Sequence, residues 1–297
     1  MKSLNFRQKI IKIEALEKLV KKDYFTLSLT LTRIFLALCT LTTLIFNTNL
    51  DLLIQLNNAP TGFSLNIFQI FNNLYISRVF CYTILALVIV GVYPRIIGIL
   101  HSWVAYSFLL SSKLIEGGDQ VVHIVTLLLI PILIFDNRSN HWKSTKISNN
   151  FYKNTILFFA DLLIKIQFFV IYFFASVGKF NSIEWKNGTA LYYWFSDSVF
   201  GLNDSIGNLI LPLLKNAYVL SFSTWLVLFV ELLIAYAVIS NSKKYKQIMF
   251  LIALFFHFFI GLFFGLWSFY FAMIAILSYT LFNSFNINYD SKVFTKS

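Results

Sequence analysis

Residues 155–178 read TILFFADLLIKIQFFVIYFFASVG, an apolar run that ends directly before Lys179. An α-helix needs about 20 consecutive, mainly apolar residues to cross the hydrocarbon core of a bilayer. This run is long enough, although it carries Asp161 and Lys165. The stretch therefore predicts a transmembrane helix and indicates a membrane protein.

The composition extends this prediction to the whole chain. Of 297 residues, 58% are hydrophobic, 12% are charged and 34 are phenylalanine, whereas soluble domains average about 45–50% apolar and about 25% charged residues. We predict an all-α polytopic membrane protein, a bundle of about eight transmembrane helices without a separate soluble domain. The predicted spans are residues 26–46, 79–92, 96–112, 121–135, 155–178, 218–240, 248–264 and 267–283.

The distribution of basic residues predicts the orientation. With a cytoplasmic N-terminus, 17 Lys and Arg residues fall in cytoplasmic segments and 5 in outer segments, which predicts that both termini are cytoplasmic. This bias explains the net charge of +11 without nucleic acid. Residues 1–25 predict an amphipathic basic helix on the inner membrane surface, and residues 286–297 predict a cytoplasmic tail.

Five ionisable side chains lie within the predicted spans at similar depth in the cytoplasmic half: Arg33, Asp161, Lys165, Glu231 and His257. Charged groups at bilayer depth are costly, so such groups are paired or functional. One interpretation is a structural network in which Asp161 pairs with Lys165, and Glu231 pairs with His257 or Arg33. The alternatives are a proton or ion path and a part in a binding cavity.

Two predicted outer segments carry candidate site residues. The first, residues 111–123 (SSKLIEGGDQVVH), groups polar side chains around paired glycines, which permit a tight turn or the close approach of a ligand. Its candidates are Glu116, Asp119, Gln120 and His123. A plain connecting loop is the alternative interpretation.

The second segment, residues 172–196, begins where the fifth span ends. A partly desolvated Lys179 at this point suits a general base, and an interfacial lysine that reaches toward water is the alternative. The aromatic residues that follow suit either an interfacial belt or a flat ligand such as a quinone: Trp185, Tyr192, Tyr193 and Trp194. Because both segments lie on one side, we predict a single pocket, with Lys179, Asp119 and His123 as candidate catalytic residues.

The remaining residues predict no metal centre. The four histidines, at positions 101, 123, 141 and 257, lack the usual ligand spacing. Cys39 and Cys81 lie within apolar runs, which favours buried thiols over a disulfide.

Three runs of the sequence resemble the sporulation-delaying protein B family: GVYPRIIGILHSWVAYSFLLSSKLIEGGDQVVHIVTLLLIPILIFDNRSNHW (91–142), NGTALYYWFSDSVFGL (187–202) and ELLIAYAVISN (231–241). This resemblance implies a protein of the bacterial plasma membrane. It also implies action on the precursor peptide of a secreted, cannibalism-type toxin, together with a smaller partner similar to sporulation-delaying protein A.

A more distant resemblance, carried by YFFASVGKFNSIEW (172–185), connects the chain to the HTTM domain shared with vitamin K-dependent γ-glutamyl carboxylase. It implies an HTTM-like transmembrane domain over residues 26–285. Lys179 matches the lysine that acts as a base on a reduced quinone in the carboxylase. The large lumenal domain of that enzyme is absent here, so carboxylation is not implied.

Three functional hypotheses follow. The first is a membrane factor that matures a secreted peptide at an outward-facing site, with or without catalysis. The second is a non-enzymatic scaffold or chaperone that presents the precursor peptide to a partner. The third, a transporter or immunity protein that uses the charges within the spans, is the least favoured because no duplicated halves are evident.

Overall fold

The computed structural model describes residues 17, 20–46, 65–71, 73–113 and 115–285. Most of the amphipathic helix expected at residues 1–25, and the tail expected at residues 286–297, lie outside these residues. Within the described residues the regular structure is helical, apart from an isolated bridge between Val92 and Asn140. The all-α prediction is confirmed.

Twelve α-helices and one 3-10 turn follow one another in the described part of the chain. They are α1 (Leu27–Phe46), α2 (Ile67–Ile70), α3 (Leu74–Val90), α4 (Pro94–Ser111), α5 (Gly117–Leu133), α6 (Phe151–Lys179), α7 (Ile183–Lys186), α8 (Ala190–Phe195), α9 (Asp204–Leu214), α10 (Ala217–Ile239), α11 (Lys243–Phe264), α12 (Trp267–Leu281) and the turn Phe282–Phe285.

Five of these helices are long and apolar enough to cross a membrane: α1, α6, α10, α11, and α12 with its following turn. Helices α3 and α5 have 17 residues each, and α4 has 18. A helix therefore occupies each of the eight predicted positions, but the count of about eight spans is not confirmed beyond five. The three shorter helices form one side of the bundle.

Polar side chains at the helix starts explain several boundaries. The side chains of Asn150, Asn216 and Ser242 accept hydrogen bonds from backbone N–H groups in the first turns of α6, α10 and α11. These groups would otherwise lack partners, so such caps fix where each helix begins. Helices α11 and α12 are joined by Gly265–Leu266 alone, which makes them antiparallel neighbours.

Helix α12 lies in the core of the bundle, and most of its residues are buried. It packs along α1 and also contacts α5 and α11. Helices α6, α10, α11 and α12 form a ring in which each contacts the next and α12 contacts α6. A second apolar cluster joins α1 to α2, α3 and α4. The ring is the part of the fold that positions the candidate site.

The bundle has two ends, the Lys179 end and the Asp161 end, each named after a residue of α6. At the Lys179 end, Gly118 packs against Phe269 and Trp194 against Phe264. At the Asp161 end, Ser28 donates a hydrogen bond to Asn283 over 2.6 Å. The two segments expected to lie on the outer side therefore share one end of the bundle.

Candidate functional site

One side of α6 carries most of the polar side chains of the ring. Asp161, Phe168, Tyr172 and Lys179 follow one another at intervals of seven, four and seven residues, which aligns them along a single helix face. All of them contact side chains of other helices in the ring or in the segments at its ends. The buried Phe168 separates the polar groups into two sets.

The first set is built on Lys179 and Glu231. The ammonium group of Lys179 donates hydrogen bonds to both carboxylate oxygens of Glu231, at 2.6 and 2.8 Å. It also donates to the carbonyl oxygen of Ala175, at 2.8 Å, one turn earlier in α6. The side chain thus runs back along its helix into the bundle, which differs from an interfacial lysine that reaches toward water. The side chains of Lys179 and Glu231 are 24% and 8% exposed.

An indole ring covers this pair. The Lys179 ammonium lies 5.2 Å from the centroid of the Trp185 ring, a distance at which the ring face attracts a cation. Trp185 is held there by a small apolar cluster with Ala190 and Leu228. The segment after α6 therefore folds back onto α10 and closes over the ion pair.

A second hydrogen bond lies deeper in the ring. The hydroxyl of Tyr172 and Nε2 of His257 are 2.8 Å apart, and both side chains are buried. The His257 ring contacts the ring of Phe269, with centroids 5.5 Å apart. His257 thus connects α6 to the start of α12, and its hydrogen bond goes to Tyr172 instead of its expected partner Glu231.

The paired glycines serve helix packing. A Cβ atom added to Gly118 would lie 3.0 Å from Cα of Phe269, so the start of α5 approaches the backbone of α12 closely. Glu116 accepts a hydrogen bond from Ser268 over 2.5 Å, and Asp119 accepts one from the Glu116 backbone over 3.2 Å. The close approach that the glycines permit is therefore that of a neighbouring helix.

The polar residues of this turn do not converge on Lys179. Asp119 is buried, and its Oδ1 has no hydrogen-bond partner among the described residues. His123 faces α4, where its ring lies 6.0 Å from that of Tyr106, and Gln120 is exposed. Direct contacts that join Asp119 or His123 to Lys179 are absent from the described structure. The turn instead packs against Phe269, whose ring contacts that of His257.

The aromatic stretch after Trp185 also turns away from Lys179. Trp194 packs on Phe264 at the end of α11, with ring centroids 6.3 Å apart. Tyr193 is 60% exposed and Trp194 51% exposed, while Tyr192 stacks edge-on against Tyr193. Of the four aromatic residues predicted to line the pocket, only Trp185 covers the ion pair in the described structure.

The second set of polar groups lies at the Asp161 end. The expected ion pair between Asp161 and Lys165 is present, with Nζ and Oδ2 2.8 Å apart. The same oxygen accepts a hydrogen bond from Lys22 over 2.5 Å, and the Tyr279 hydroxyl donates to Oδ1 over 3.3 Å. Lys22 and Tyr279 had no role in the sequence-based prediction.

The fifth group, Arg33, forms a site of its own. Its Nη1 lies 3.1 Å from Nδ1 of His141, in the loop between α5 and α6. Its Nε and Nη2 have no hydrogen-bond partners among the described residues. Of the pairs expected in the network, Asp161–Lys165 is present, whereas Glu231 pairs with Lys179 instead of His257 or Arg33. The contacts divide the network among three places, because the helix faces point in different directions.

The loop that holds His141 has three buried side chains, and two of them form an ion pair. Arg138 forms a two-pronged contact with Asp136 and donates a hydrogen bond to the carbonyl of His141 over 2.7 Å. A Cβ atom at Gly91 would lie 2.0 Å from the His141 ring, so only glycine fits there. Burial lowers the pKa of His141 to about 3, and the guanidinium groups of Arg33 and Arg138 contribute to this.

Two residues of this arrangement were missed by the sequence analysis although a signal existed. Tyr172 precedes Lys179 by seven residues on the same helix face. His141 belongs to the run FDNRSNHW, which is part of the family resemblance. Neither signal identifies the partner, because the partner lies on another helix in each case.

The residues around Lys179 do not fit a reduced quinone. All three N–H donors of the ammonium group are engaged by Ala175 and Glu231, and Trp185 lies over it. A bound hydroquinone would have to replace these contacts. Among the described residues, no three His, Cys, Asp or Glu side chains are grouped as metal ligands.

Comparison with known proteins places this architecture in a family. The HTTM domain matches residues 22–286. The chain belongs to the HTTM domain family. It is 38% identical to the sporulation-delaying protein SdpB of Bacillus subtilis (strain 168) over 202 residues, which cover 62% of this chain and 62% of that protein.

A second relative belongs to the same bacterium. The uncharacterized protein YitO is 36% identical over 201 residues, which cover 66% of this chain and 63% of YitO. The HTTM-domain chain thus spans less than two thirds of the length of these curated relatives. No solved structure matches it.

Proposed function

We propose that this HTTM-domain chain is a membrane factor needed to produce a secreted peptide toxin of the sporulation-delaying type. The proposal rests on one observation above all, the Lys179–Glu231 pair under Trp185 at one end of the bundle. The similarity to sporulation-delaying protein SdpB supports the same function. The precursor peptide is the proposed ligand of the Lys179 end, and a small protein similar to sporulation-delaying protein A is the proposed partner.

The proposed setting is the plasma membrane of a bacterium. Both termini lie in the cytoplasm, so the Lys179 end faces outward and meets the peptide after its export. The distribution of Lys and Arg supports this orientation. The same distribution accounts for the net positive charge. The partner of these basic residues is therefore the lipid bilayer, and no nucleic acid is involved.

In the catalytic version of this function, Lys179 is a general base. The base must be a neutral amine, and the pair provides one when Lys179 transfers a proton to Oε1 of Glu231, which lies 2.6 Å from Nζ. The neutral amine then takes a proton from the bound peptide. Asp119 and His123 make no direct contact with Lys179 in the described structure, so they do not share this step. We propose that they orient the peptide or partner at the same end.

The non-enzymatic version is favoured by a different observation. Tyr193 and Trp194 are more than half exposed at the Lys179 end, and Phe200, which follows them in the chain, is 63% exposed. Exposed aromatic side chains at one place suit the binding of an apolar peptide. In this version the chain presents the precursor to its partner, and the Lys179–Glu231 pair stabilises the platform.

Two variants of Lys179 distinguish the two versions in a toxin-producing strain. We expect Lys179→Ala to abolish mature toxin, measured by mass spectrometry of the secreted peptide at equal membrane levels of the variant. Lys179→Arg retains the positive charge but cannot act as a base, because the guanidinium group stays protonated. Loss of mature toxin in Lys179→Arg supports catalysis, and normal toxin supports the scaffold.

The matched control is Lys186→Ala, which removes an exposed lysine of the same segment. Its toxin should be unaffected. If a well-expressed Lys179→Ala protein yields normal mature toxin, the Lys179–Glu231 ion pair is not needed for the proposed function. Loss of binding to the precursor in Tyr193→Ala and Trp194→Ala, with Lys179 intact, would support the aromatic platform.

A further inference from the structure

The Asp161 end holds more lysines than carboxylates. Lys22 and Lys165 both contact Oδ2 of Asp161, at 2.5 and 2.8 Å. Lys246 lies in the first turn of α11 at the same end, where the next residue, Gln247, donates a hydrogen bond to the Ser284 carbonyl over 3.0 Å. We call these three lysines the lysine cluster. Among the described residues, Asp161 supplies its single carboxylate contact, so the group carries a surplus of about two positive charges.

The carboxylate of Asp161 has little capacity left to balance this surplus. Its Oδ2 is shared by two ammonium groups, and its Oδ1 accepts the hydroxyl of Tyr279. An ammonium group has three N–H donors, and Lys165 uses one of them on Asp161. The lysine cluster is thus arranged to receive a further anion.

The surroundings indicate what kind of molecule carries that anion. The side chains of Lys22 and Lys165 are 39% and 36% exposed, so the group lies at the surface of the bundle. On α6, the neighbouring Leu162, Leu163 and Ile166 are also exposed. These apolar side chains belong to the membrane-facing surface of a spanning helix. A molecule that contacts both the lysines and these apolar side chains is anionic at one end and apolar at the other.

Lys21, the chain neighbour of Lys22, lines a cavity of about 320 Å³. Its other walls are Glu17, Val20, Asn149, Phe151 and Asn154. Asn154 is buried, and its Oδ1 has no hydrogen-bond partner among the described residues. A polar headgroup with a hydroxyl donor fits this position.

We propose that the lysine cluster binds the headgroup phosphate of an anionic phospholipid. The phosphate lies against Lys165, Lys22 and Lys246, and the acyl chains lie along the exposed apolar residues of α6. Basic groups between transmembrane helices at the membrane surface bind such headgroups. The site is at the opposite end from Lys179, so it does not depend on the function proposed above.

The test uses the full-length protein in detergent with an equimolar mixture of phosphatidylglycerol and phosphatidylcholine. Native mass spectrometry measures the ratio of the two bound lipids. We expect phosphatidylglycerol to dominate, and Lys246→Gln to lower the ratio about fivefold, the typical effect of one lysine near an anionic membrane surface. Lys246→Gln leaves both ion pairs of Asp161 in place, so the variant should fold.

The control is Lys215→Gln, which removes an exposed lysine at the Lys179 end and should leave the ratio unchanged. An unchanged ratio in Lys246→Gln, or an equal decrease in Lys215→Gln, would overturn the proposal. Glycerol phosphate distinguishes a soluble source of the anion. If it stabilises the protein against heat as much as phosphatidylglycerol does, the ligand is not a lipid.

Discussion

Two lysine–carboxylate clusters lie on the same face of α6, and they differ in charge balance and in exposure. Lys179 and Glu231 form a one-to-one pair whose side chains are 24% and 8% exposed. At the other end, Asp161 is shared by Lys22 and Lys165, which are both more than a third exposed, and Lys246 lies nearby. A single helix face thus carries a balanced cluster and a cluster with excess positive charge.

The difference follows from the environment of each cluster. A buried charge without a partner is strongly destabilising. The more buried cluster, Lys179 with Glu231, must therefore hold equal positive and negative charge. Partly exposed charges are stabilised by water or headgroups. The more exposed cluster around Asp161 therefore tolerates excess positive charge. The comparison indicates which cluster holds the fold together and which is available for an external ligand.

The largest effect should come from breaking the balanced pair. We expect Lys179→Met to lower the free energy of unfolding by about 3 kcal/mol, because it leaves the Glu231 carboxylate buried without its cation. The measurement is an SDS titration of the purified protein. The double variant Lys179→Met/Glu231→Leu should recover most of the loss, since it removes both charges. If the double variant is as unstable as the single one, lost packing and not lost charge balance is the cause.

The next effect concerns Arg33, a buried cation with no carboxylate contact among the described residues. Arg33 contacts neutral His141, whose pKa is held at about 3 in the folded protein. In the unfolded chain a histidine has a pKa of about 6.5, so below this pH the unfolded state binds the extra proton. Stability is therefore complete above pH 6.5 and falls as the pH decreases toward 3. At pH 5.5 the expected loss is about 1.4 kcal/mol relative to pH 7.5.

The matched variant for this prediction is His141→Asn. Its amide oxygen accepts a hydrogen bond near the position of Nδ1 but does not titrate. We expect the difference in SDS midpoint between pH 7.5 and pH 5.5 to shrink in this variant. An undiminished acid sensitivity would assign the effect to other groups.

The smallest effect is expected at the cluster with excess charge. Asp161→Asn removes the carboxylate but leaves Lys22 and Lys165 more than a third exposed. The expected loss is about 1 kcal/mol, because exposed ion pairs contribute little. The same SDS titration measures it. A loss as large as that of Lys179→Met would contradict the contrast between the two clusters.

Much of the fold was predictable from hydropathy. A helix occupies each predicted span, and the expected apolar run 155–178 lies within α6. The Asp161–Lys165 contact was predictable as well, because residues four apart lie on one face of any α-helix. Both predictions depend on local sequence alone.

The pairing of Lys179 with Glu231 was not predictable in this way. Counting residues from the ends of the spans placed Glu231 in the cytoplasmic half and Lys179 at the outer interface. The count ignores the length of the lysine side chain and its direction, which runs back past Ala175 into the bundle. The contact also requires the packing of α6 on α10, which is a property of the tertiary fold.

The buried ring of Phe168 gives the two clusters a further property. It lies between Lys165 and Tyr172 on the shared face of α6, and it packs at a tilt against the Tyr172 ring with centroids 4.9 Å apart. A benzene ring neither donates nor accepts a proton in a relay. The ring therefore separates the two clusters along this helix face, and we expect a substitution in one cluster to leave the hydrogen bonds of the other unchanged.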